Sequence, residues 1–216
     1  MSRGGPVVRA WNRLRQEGPR GLARALKWKL WHRRDLILWQ RRVGPPLWQP
    51  PRLLLPPGTE LVGARPEHLE AMAANFPERR KWYARRLADP GYDCSLALCR
   101  GEVLAHNWFC THDHFDPDML WRVPVGPREV YSFEGWVRPD CRGLGIAHLA
   151  FRYAFEVMLP GTDVERVFTL IDRANTATSR LHRRYGFTPA GRKTYLRLGP
   201  FRFNSAVRPL PDRDRI

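Results

Sequence analysis

The clearest periodic pattern in the chain lies between residues 142 and 160. Apolar side chains recur there at alternating spacings of three and one, which is the stripe that a helix presents to a core. The stripe consists of Ile146, Leu149, Ala150, Tyr153, Ala154, Val157 and Met158. The pattern predicts a core-packed helix that begins near Arg142 and ends at Pro160 and Gly161.

Apolar runs on both sides of this helix predict strands. Residues 129–137 are rich in aromatic and β-branched side chains, and residues 167–171 form the unbroken run of a strand covered on both faces. The other predicted strands are 60–62, 94–99, 103–109 and a last pair from residue 195. The other predicted helices are 66–75, 77–88 and one that begins after Asn175, which suits the N-cap position. These elements predict an α/β or α+β fold with a mixed, mostly antiparallel sheet flanked by helices.

A glycine motif stands between the strand at 129–137 and the periodic helix. Gly143 and Gly145 permit a sharp turn and close approach of the backbone to a ligand. The first N–H groups of the helix and its dipole favour an anion at this end, and Arg142 adds a positive charge. The motif is not a P-loop, and His148 stands where a dinucleotide fingerprint has its third glycine. The motif alone also fits a simple turn before a helix.

A second motif, from Asn175 to Phe187, follows about thirty residues later. Taken together, Arg142-Gly143-Leu144-Gly145-Ile146-Ala147 and Asn175-Thr176-Ala177-Thr178-Ser179-Arg180-Leu181-His182-Arg183-Arg184-Tyr185-Gly186-Phe187 resemble the two motifs of the GNAT superfamily of acyl-CoA N-acyltransferases. The resemblance covers roughly residues 129–199, and more loosely 57–128. It implies transfer of an acyl group from acyl-CoA to an acceptor.

The resemblance also assigns residues to acyl-CoA, which is the co-substrate it implies. The backbone of Gly135, Trp136 and Val137 would bind the pantetheine arm on a strand that splays from its neighbour. Asn175 would hold the arm near the thioester. The pyrophosphate would rest on the turn and helix start formed by Arg142, Gly143, Leu144, Gly145, Ile146, Ala147 and His148. No metal is expected.

His182 occupies the position where the family usually has a tyrosine that protonates the departing thiolate. An unperturbed histidine has a pKa of about 6.5 and a free thiol one of about 8.5, so an imidazolium can supply that proton. Nearby Arg180, Arg183 and Arg184 would reduce the charged fraction of the imidazole. The alternative is that His182 only packs or hydrogen-bonds.

Glu134 is the first candidate for a general base that removes the proton of an amine acceptor. It is flanked by Phe133 and Gly135, and a carboxylate half-buried among aromatic rings can have a raised pKa. Because strand side chains alternate between faces, Glu134 could equally face solvent. A water or the positioning of a neutral amine could replace such a base.

The segment from Thr111 to Asp118 is a rival constellation, with two histidines and three aspartates. Imidazole and carboxylate ligands suit zinc or non-haem iron. However, His112 and His114 are only two residues apart, and Pro117 indicates a loop. We therefore expect a polar loop between strands, which in this family often borders the acceptor pocket.

Composition limits the remaining options. The 216 residues are 43% hydrophobic, which is enough for one substantial core. The cysteines, Cys94, Cys99, Cys110 and Cys141, form neither a zinc nor a redox motif, so we expect a reduced, cytoplasmic setting. Cys141 could be reactive, although a simple loop residue is the plainer interpretation. No serine or cysteine lies in a nucleophile motif, which favours direct attack in a ternary complex.

The net charge of +16 is concentrated near the N-terminus. Residues 1–56 hold thirteen Lys/Arg, two Asp/Glu and five tryptophans, and we interpret them as a basic extension with helices at 6–34, a strand at 35–41 and a proline-rich linker. Cationic and aromatic side chains suit three partners: an anionic membrane surface, RNA, or the domain itself. The first would place the protein peripherally on the inner membrane. No run reaches the roughly 20 apolar residues of a membrane span, and charges interrupt every candidate signal peptide.

The predicted organisation is an extension over residues 1–56, an acyltransferase domain over 57–208 and a disordered tail over 209–216. The predicted activity is transfer of an acetyl or other acyl group from acyl-CoA to an amine, less favourably a hydroxyl. The extension resembles those on envelope saccharide acyltransferases, which favours an amino-sugar acceptor. The alternatives are a non-catalytic acyl-CoA-binding module and a basic protein that binds RNA or a membrane surface.

Overall fold

A mixed β-sheet forms the centre of the molecule in the computed structural model, which describes residues 31–44, 55–117 and 119–210. Within these ranges the sheet has nine strands in the order β10-β9-β1-β8-β7-β4-β3-β2, and β11 also pairs with β9. The strands are β1 (Trp31–Arg42), β2 (Thr59–Gly63), β3 (Tyr92–Cys99), β4 (Glu102–Cys110), β7 (Glu129–Val137), β8 (Arg166–Asp172), β9 (Thr188–Leu198), β10 (Phe201–Asn204) and β11 (Arg208–Pro209), and β5 (His114–Asp116) and β6 (Trp121–Val123) form a separate hairpin.

The strand directions confirm the predicted fold class. Neighbouring strands of the sheet pair antiparallel, except for β7 and β8, which are parallel. Helices α1 (Leu69–Asn75) and α2 (Arg80–Leu87) pack on one face, and α3 (Ile146–Tyr153) and α4 (Thr176–Arg184) pack on the other. Short 3-10 turns that open with Pro66 and Pro77 precede α1 and α2, as the prolines predicted.

The periodic helix differs from its prediction at both ends. It begins at Ile146 rather than near Arg142, because Gly143 and Gly145 hold left-handed backbone conformations before it. Beyond Tyr153 the chain forms a π-helix, Ala154–Met158. The wider turn places Phe155 and Leu159 in the core and leaves Val157 exposed, so the predicted stripe is wrong at Val157.

Strand β1 comes from the segment that the sequence assigned to the extension. The strand predicted at 35–41 spans Trp31–Arg42, so the helical prediction for residues 31–34 is wrong. β1 lies between β8 and β9 and pairs with both, which satisfies the hydrogen-bonding groups on its two edges. The rest of the predicted helices, residues 6–30, and linker residues 45–54 lie outside the described residues.

The structure also bears on the predictions for the cysteines, the C-terminal tail and membrane-spanning helices. All four cysteines are free, and Cys141 is buried at the end of a 3-10 turn, Pro139–Cys141. Pro209 pairs with Gly191 and Leu210 is buried, so the predicted tail begins with ordered residues. Residues 211–216 lie outside the described ranges. Within those ranges no helix has the length and apolar character needed to cross a bilayer.

Candidate functional site

Two parallel strands separate in the middle of the sheet and leave a wedge between them. β7 and β8 pair only at three positions, from Glu129 opposite Arg166 to Tyr131 opposite Phe168. Beyond Tyr131, β7 stays with β4 and β8 stays with β1. Their facing edges beyond this point border a cavity of about 570 Å³. The splayed strand implied by the family resemblance is therefore present.

A bulge in β7 lies at the edge of this cavity. Asn107 of β4 stands opposite two residues, Glu134 and Gly135, where the pairing register shifts. Glu134 has a left-handed backbone with φ of 50°, which is uncommon for a residue with a side chain. A Cβ on Gly135 would lie 2.7 Å from the Asn107 Oδ1, so any larger residue there would force the Asn107 side chain to move. The bulge turns backbone groups of β7 away from regular pairing.

The Glu134 carboxylate is held by three side chains from the α2 region. Arg79 Nη1 and Arg86 Nη1 each lie 2.6 Å from one of its oxygens, and the Tyr83 hydroxyl donates to it at 3.1 Å. Burial by itself raises the pKa of Glu134, but the charges of Arg86 and Arg79 outweigh burial and hold that pKa below its usual range. The expectation of a raised pKa is wrong, and the alternative of a solvent-facing residue is also wrong because the side chain is mostly buried.

Arg86 is the structural centre of this cluster. It is buried, and its guanidinium lies 5.2 Å from the Trp108 ring centroid and 4.9 Å from that of Phe133. Cation–π contact on two rings and the ion pair to Glu134 together compensate for removing the charge from water. Tyr83 is fully buried, and burial followed by the charge of Glu134 raises the pKa of its hydroxyl, which therefore stays protonated and able to donate.

His182 lies across the wedge on α4 and also lines the cavity. Its Nδ1 is 2.8 Å from the Thr178 carbonyl oxygen, which can only accept, so Nδ1 carries the proton. Nε2 is then a bare lone pair, buried without a hydrogen-bond partner among the described residues. Burial lowers the pKa of His182 to about 4, and the bond to Thr178 opposes this shift. Desolvation, rather than the neighbouring arginines, therefore keeps the imidazole neutral.

Asn175 lines the same cavity at the start of α4. Its side-chain oxygen accepts a hydrogen bond from the Thr178 backbone N–H at 3.2 Å, which is an N-cap. Asn175, Thr178 and His182 lie three and four residues apart and share one helix face. The cavity lining thus includes four predicted site residues, namely Glu134, Gly135, Asn175 and His182.

The remaining predicted cofactor residues continue from β7 to the start of α3. Gly143 and Gly145 have φ of 83° and 82°, as the turn required. Arg142 is exposed, and its Nε donates to the Val137 carbonyl, which ties the turn to the end of β7. Leu144 precedes α3 and is exposed. In the first turn of α3, Ile146 is buried, and Ala147 and His148 are partly exposed.

The side chains of Trp136 and Val137 have structural roles. The Trp136 ring stacks on His106 with centroids 5.5 Å apart, and Phe76 meets it edge-on at 5.1 Å. Val137 packs on the cluster that holds α3 against the sheet. Packing thus holds both side chains against the protein. His106 is itself buried, and its Nε2 has no hydrogen-bond partner among the described residues.

The rival segment from Thr111 to Asp118 includes β5 rather than being only a loop. His114 is buried, its ring packs at a tilt on Phe133 with centroids 4.0 Å apart, and its Nδ1 lies 3.2 Å from the Tyr92 hydroxyl. It lines the cavity, and burial lowers its pKa to about 4. The His112 Nε2 instead lies 3.3 Å from an Asp89 carboxylate oxygen. In the described part of the chain no group of His, Cys, Asp and Glu is arranged to hold a metal.

Sequence reasoning missed the side chains that surround Glu134 and the cavity mouth. Arg79 and Arg86 belong to a run of basic residues in which no spacing separates buried from exposed members. Asn107 lies in a strand whose other residues are apolar or aromatic apart from Glu102 and His106. Their position depends on packing between distant segments, and no local signal in the sequence could have found them.

Comparisons with known proteins agree with this geometry. A model of the Acetyltransferase (GNAT) family matches residues 61–187, more than half of the chain. The chain is 30% identical over 203 residues to a mycothiol acetyltransferase of Salinispora arenicola. The aligned region covers 85% of this chain and 60% of that protein. A mycothiol acetyltransferase of Salinispora tropica matches with the same identity and coverage. The chain thus spans about 60% of the length of these curated relatives.

Solved structures give the same fold. A GCN5-related N-acetyltransferase from Kribbella flavida has a TM-score of 0.50 at 17% identity, over 81% of this chain and 62% of that chain. A Drosophila protein has a TM-score of 0.54 at 14% identity, over 84% of this chain and 56% of that chain. At these identities the likeness concerns the fold alone.

Proposed function

Since the chain belongs to the Acetyltransferase (GNAT) family, we propose that it transfers an acetyl group from acetyl-CoA to an amine. The observation that carries this proposal is the wedge between β7 and β8, which opens beside a bulge and leads along β7 to the glycine turn before α3. One continuous path therefore offers backbone donors for a thioester arm and a helix start for its pyrophosphate.

The cofactor would bind mainly through backbone groups. Its pyrophosphate would rest on amides from Gly143 to His148, with Arg142 beside it, and its arm would follow Gly135 to Val137. The left-handed turn and the start of α3 support the first contact, because helix N–H groups and their dipole favour an anion. The bulge supports the second, because it frees β7 backbone groups beside the cavity. Asn175 would border the thioester from α4.

The chemistry requires one proton to move from nitrogen to sulfur. A neutral amine attacks the thioester carbonyl, the carbon–sulfur bond breaks, and the thiolate takes up the proton that the nitrogen loses. We assign this transfer to His182, whose Nε2 lone pair accepts the proton first and donates it to the thiolate afterwards. The neutral tautomer set by Thr178 supports this order, since the resting imidazole has no Nε2 proton to give.

Glu134 has a positioning role in this proposal. Both of its oxygens are already engaged by Arg79, Arg86 and Tyr83, which makes it a poor proton acceptor, and the two ion pairs hold the left-handed bulge in place. The bulge in turn orients the backbone next to Gly135, where donors to the thioester oxygen are expected. Most of the rate gain would come from this orientation of reactants.

We propose a small-molecule amine as acceptor, with amino sugars as the first class to test. The cavity volume of about 570 Å³ is that of a small-ligand site. His114, Asp116 and Trp82 line the cavity in addition to the two strands of the wedge, and they place polar and aromatic groups where an acceptor would enter.

Thiol release from acetyl-CoA, measured against pooled amines, amino sugars and peptides, tests the activity. Coenzyme A binding, measured by calorimetry, tests the site separately through two matched variants. Gly143→Glu and Gly101→Glu each replace a glycine with positive φ and open space around it. Only the first places a carboxylate where the pyrophosphate would lie, so we expect its affinity to fall about 100-fold, equivalent to about 2.7 kcal/mol.

The outcomes separate three functions. Binding with release supports the enzyme, and binding without release for any acceptor supports a non-catalytic acyl-CoA module. Folded protein that does not bind coenzyme A would refute both. Equal affinity of the Gly143 and Gly101 variants would refute the proposed pyrophosphate position.

A further inference from the structure

An exposed apolar face lies at the β10 end of the sheet, away from the proposed active site. Six residues of β1, β9 and β10 form two neighbouring rows on it, because directly paired residues of antiparallel strands share a face. One row is Trp31, Leu198 and Phe201, and the other is Arg33, Leu196 and Phe203. We call these six residues the aromatic face.

The aromatic face is open to solvent. Trp31 is 59% exposed, Phe201 66% and Phe203 53%, and Leu198 is also exposed. The opposite side of the same strands is covered, since Tyr195 is buried there and Asn204 donates to the Met119 carbonyl. Contiguous exposure of three aromatic side chains and Leu198, next to the partly buried Leu196, is unusual for a surface that contacts only water.

The charges around the face are basic. Arg33 belongs to it, and the next row contains Asp35, whose carboxylate is matched by Arg33 at 3.5 Å and Arg192 at 3.1 Å. Residues 1–30 lead directly into Trp31 in the sequence and contain eight Lys/Arg and one acidic residue. An apolar surface with aromatic rings, on a chain with this excess of positive charge, fits an anionic lipid surface, where rings enter the interface and cations meet headgroups.

We propose that the aromatic face binds the surface of an anionic lipid bilayer. The net charge of +16 attracts such a bilayer and repels a second copy of the same chain. Leucine side chains contribute to lipid contact but have no ring on which a nucleic-acid base can stack, which favours lipid over RNA. This proposal is independent of the proposed acetyl transfer.

Flotation of the full chain with vesicles tests the proposal. We expect flotation with phosphatidylglycerol and phosphatidylcholine at a 1:1 ratio, and little with phosphatidylcholine alone. Phe201→Ser should lower the bound fraction about ten-fold, because one aromatic side chain would no longer enter the bilayer. Val157→Ser is the matched control, since Val157 is 59% exposed elsewhere, and it should float as the wild type does. The double variant F201S/F203S should abolish flotation.

Each alternative occupant has its own result. Flotation of Phe201→Ser equal to that of the wild type would overturn the proposal. So would a dimer in light scattering that this variant makes monomeric, or salt-sensitive RNA binding that it abolishes. A large fall in its melting temperature with unchanged flotation would assign the face to intramolecular packing. Thermal unfolding of each variant provides the control for folding.

Discussion

The glycine turn before α3 and the carboxylate cluster at the β7 bulge lie only a few residues apart in sequence, yet they are built differently. The turn uses left-handed glycines and the first N–H groups of a helix, all from neighbouring residues. The cluster joins Glu134 to Arg79, Tyr83 and Arg86, about fifty residues earlier. A backbone site is therefore visible in a sequence motif, whereas a side-chain cluster is visible only after folding.

This difference also separates what a mutation does. A change in the turn should affect the ligand and leave the fold intact, because little packs against Gly143. A change in the cluster should affect stability as well as rate, because its members are packed between the sheet and α2.

Arg86→Ala should have the largest effect on stability. Removing one partner of a buried ion pair leaves the other charge poorly compensated, and we expect a loss of about 3 kcal/mol in the free energy of unfolding. Arg85→Ala is the control on the same helix, since its exposed guanidinium only lies over Trp82, and it should change stability by less than about 0.5 kcal/mol. Urea unfolding followed by tryptophan fluorescence measures both. Equal losses would mean that the cluster is not a stabilising unit.

His182→Phe should lower kcat about 100-fold and leave the Kd for coenzyme A unchanged within two-fold, because it removes proton transfer but keeps a ring of similar size. The pKa of about 4 keeps the wild-type imidazole neutral from pH 6 to 9. The wild-type rate should therefore rise only as the acceptor amine loses its proton. A full rate in the variant would exclude the relay, and a wild-type inflection near pH 6.5 that the variant lacks would favour an imidazolium acid instead.

Glu134→Gln should have the smallest effect on rate. If Glu134 positions the bulge, kcat should fall less than about ten-fold, because Gln keeps the shape and one hydrogen-bond acceptor. A general base would instead cost 10²-fold or more. Steady-state kinetics at saturating acetyl-CoA distinguish the two roles, with Glu78→Gln as control because Glu78 lines the cavity from an exposed position.

The same variant has a pH signature in stability. The pKa of Glu134 is depressed in the folded state, so its charge stabilises the protein above the usual carboxyl pKa, and this contribution is lost as pH falls through the folded pKa. The difference in unfolding free energy between wild type and Glu134→Gln should thus be largest at neutral pH. It should shrink toward the lowest pH at which the wild type folds. A difference that is constant with pH would show that the ion pairs contribute nothing.

The limits of sequence interpretation are clearest at β1. Leu36, Ile37, Leu38 and Trp39 indicated a short strand, but nothing local indicated that it would insert between β8 and β9. Likewise, the apolar periodicity predicts the helix after Gly145, but it does not predict the π-helix that exposes Val157. Local patterns report on one segment and its exposure, while register and insertion depend on partners far away in the chain.

The sequence by itself determined the type of most elements, the mixed antiparallel sheet, the glycine turn and the capped start of α4, because each depends on backbone preferences of adjacent residues. Only the tertiary structure decided the environment of Glu134 and His182. Their protonation follows from burial and from the partners that packing brings near, which here are two arginines for the carboxylate and a desolvated pocket for the imidazole. Electrostatic effects of this kind depend on distance and solvent exclusion, which a linear sequence does not encode locally.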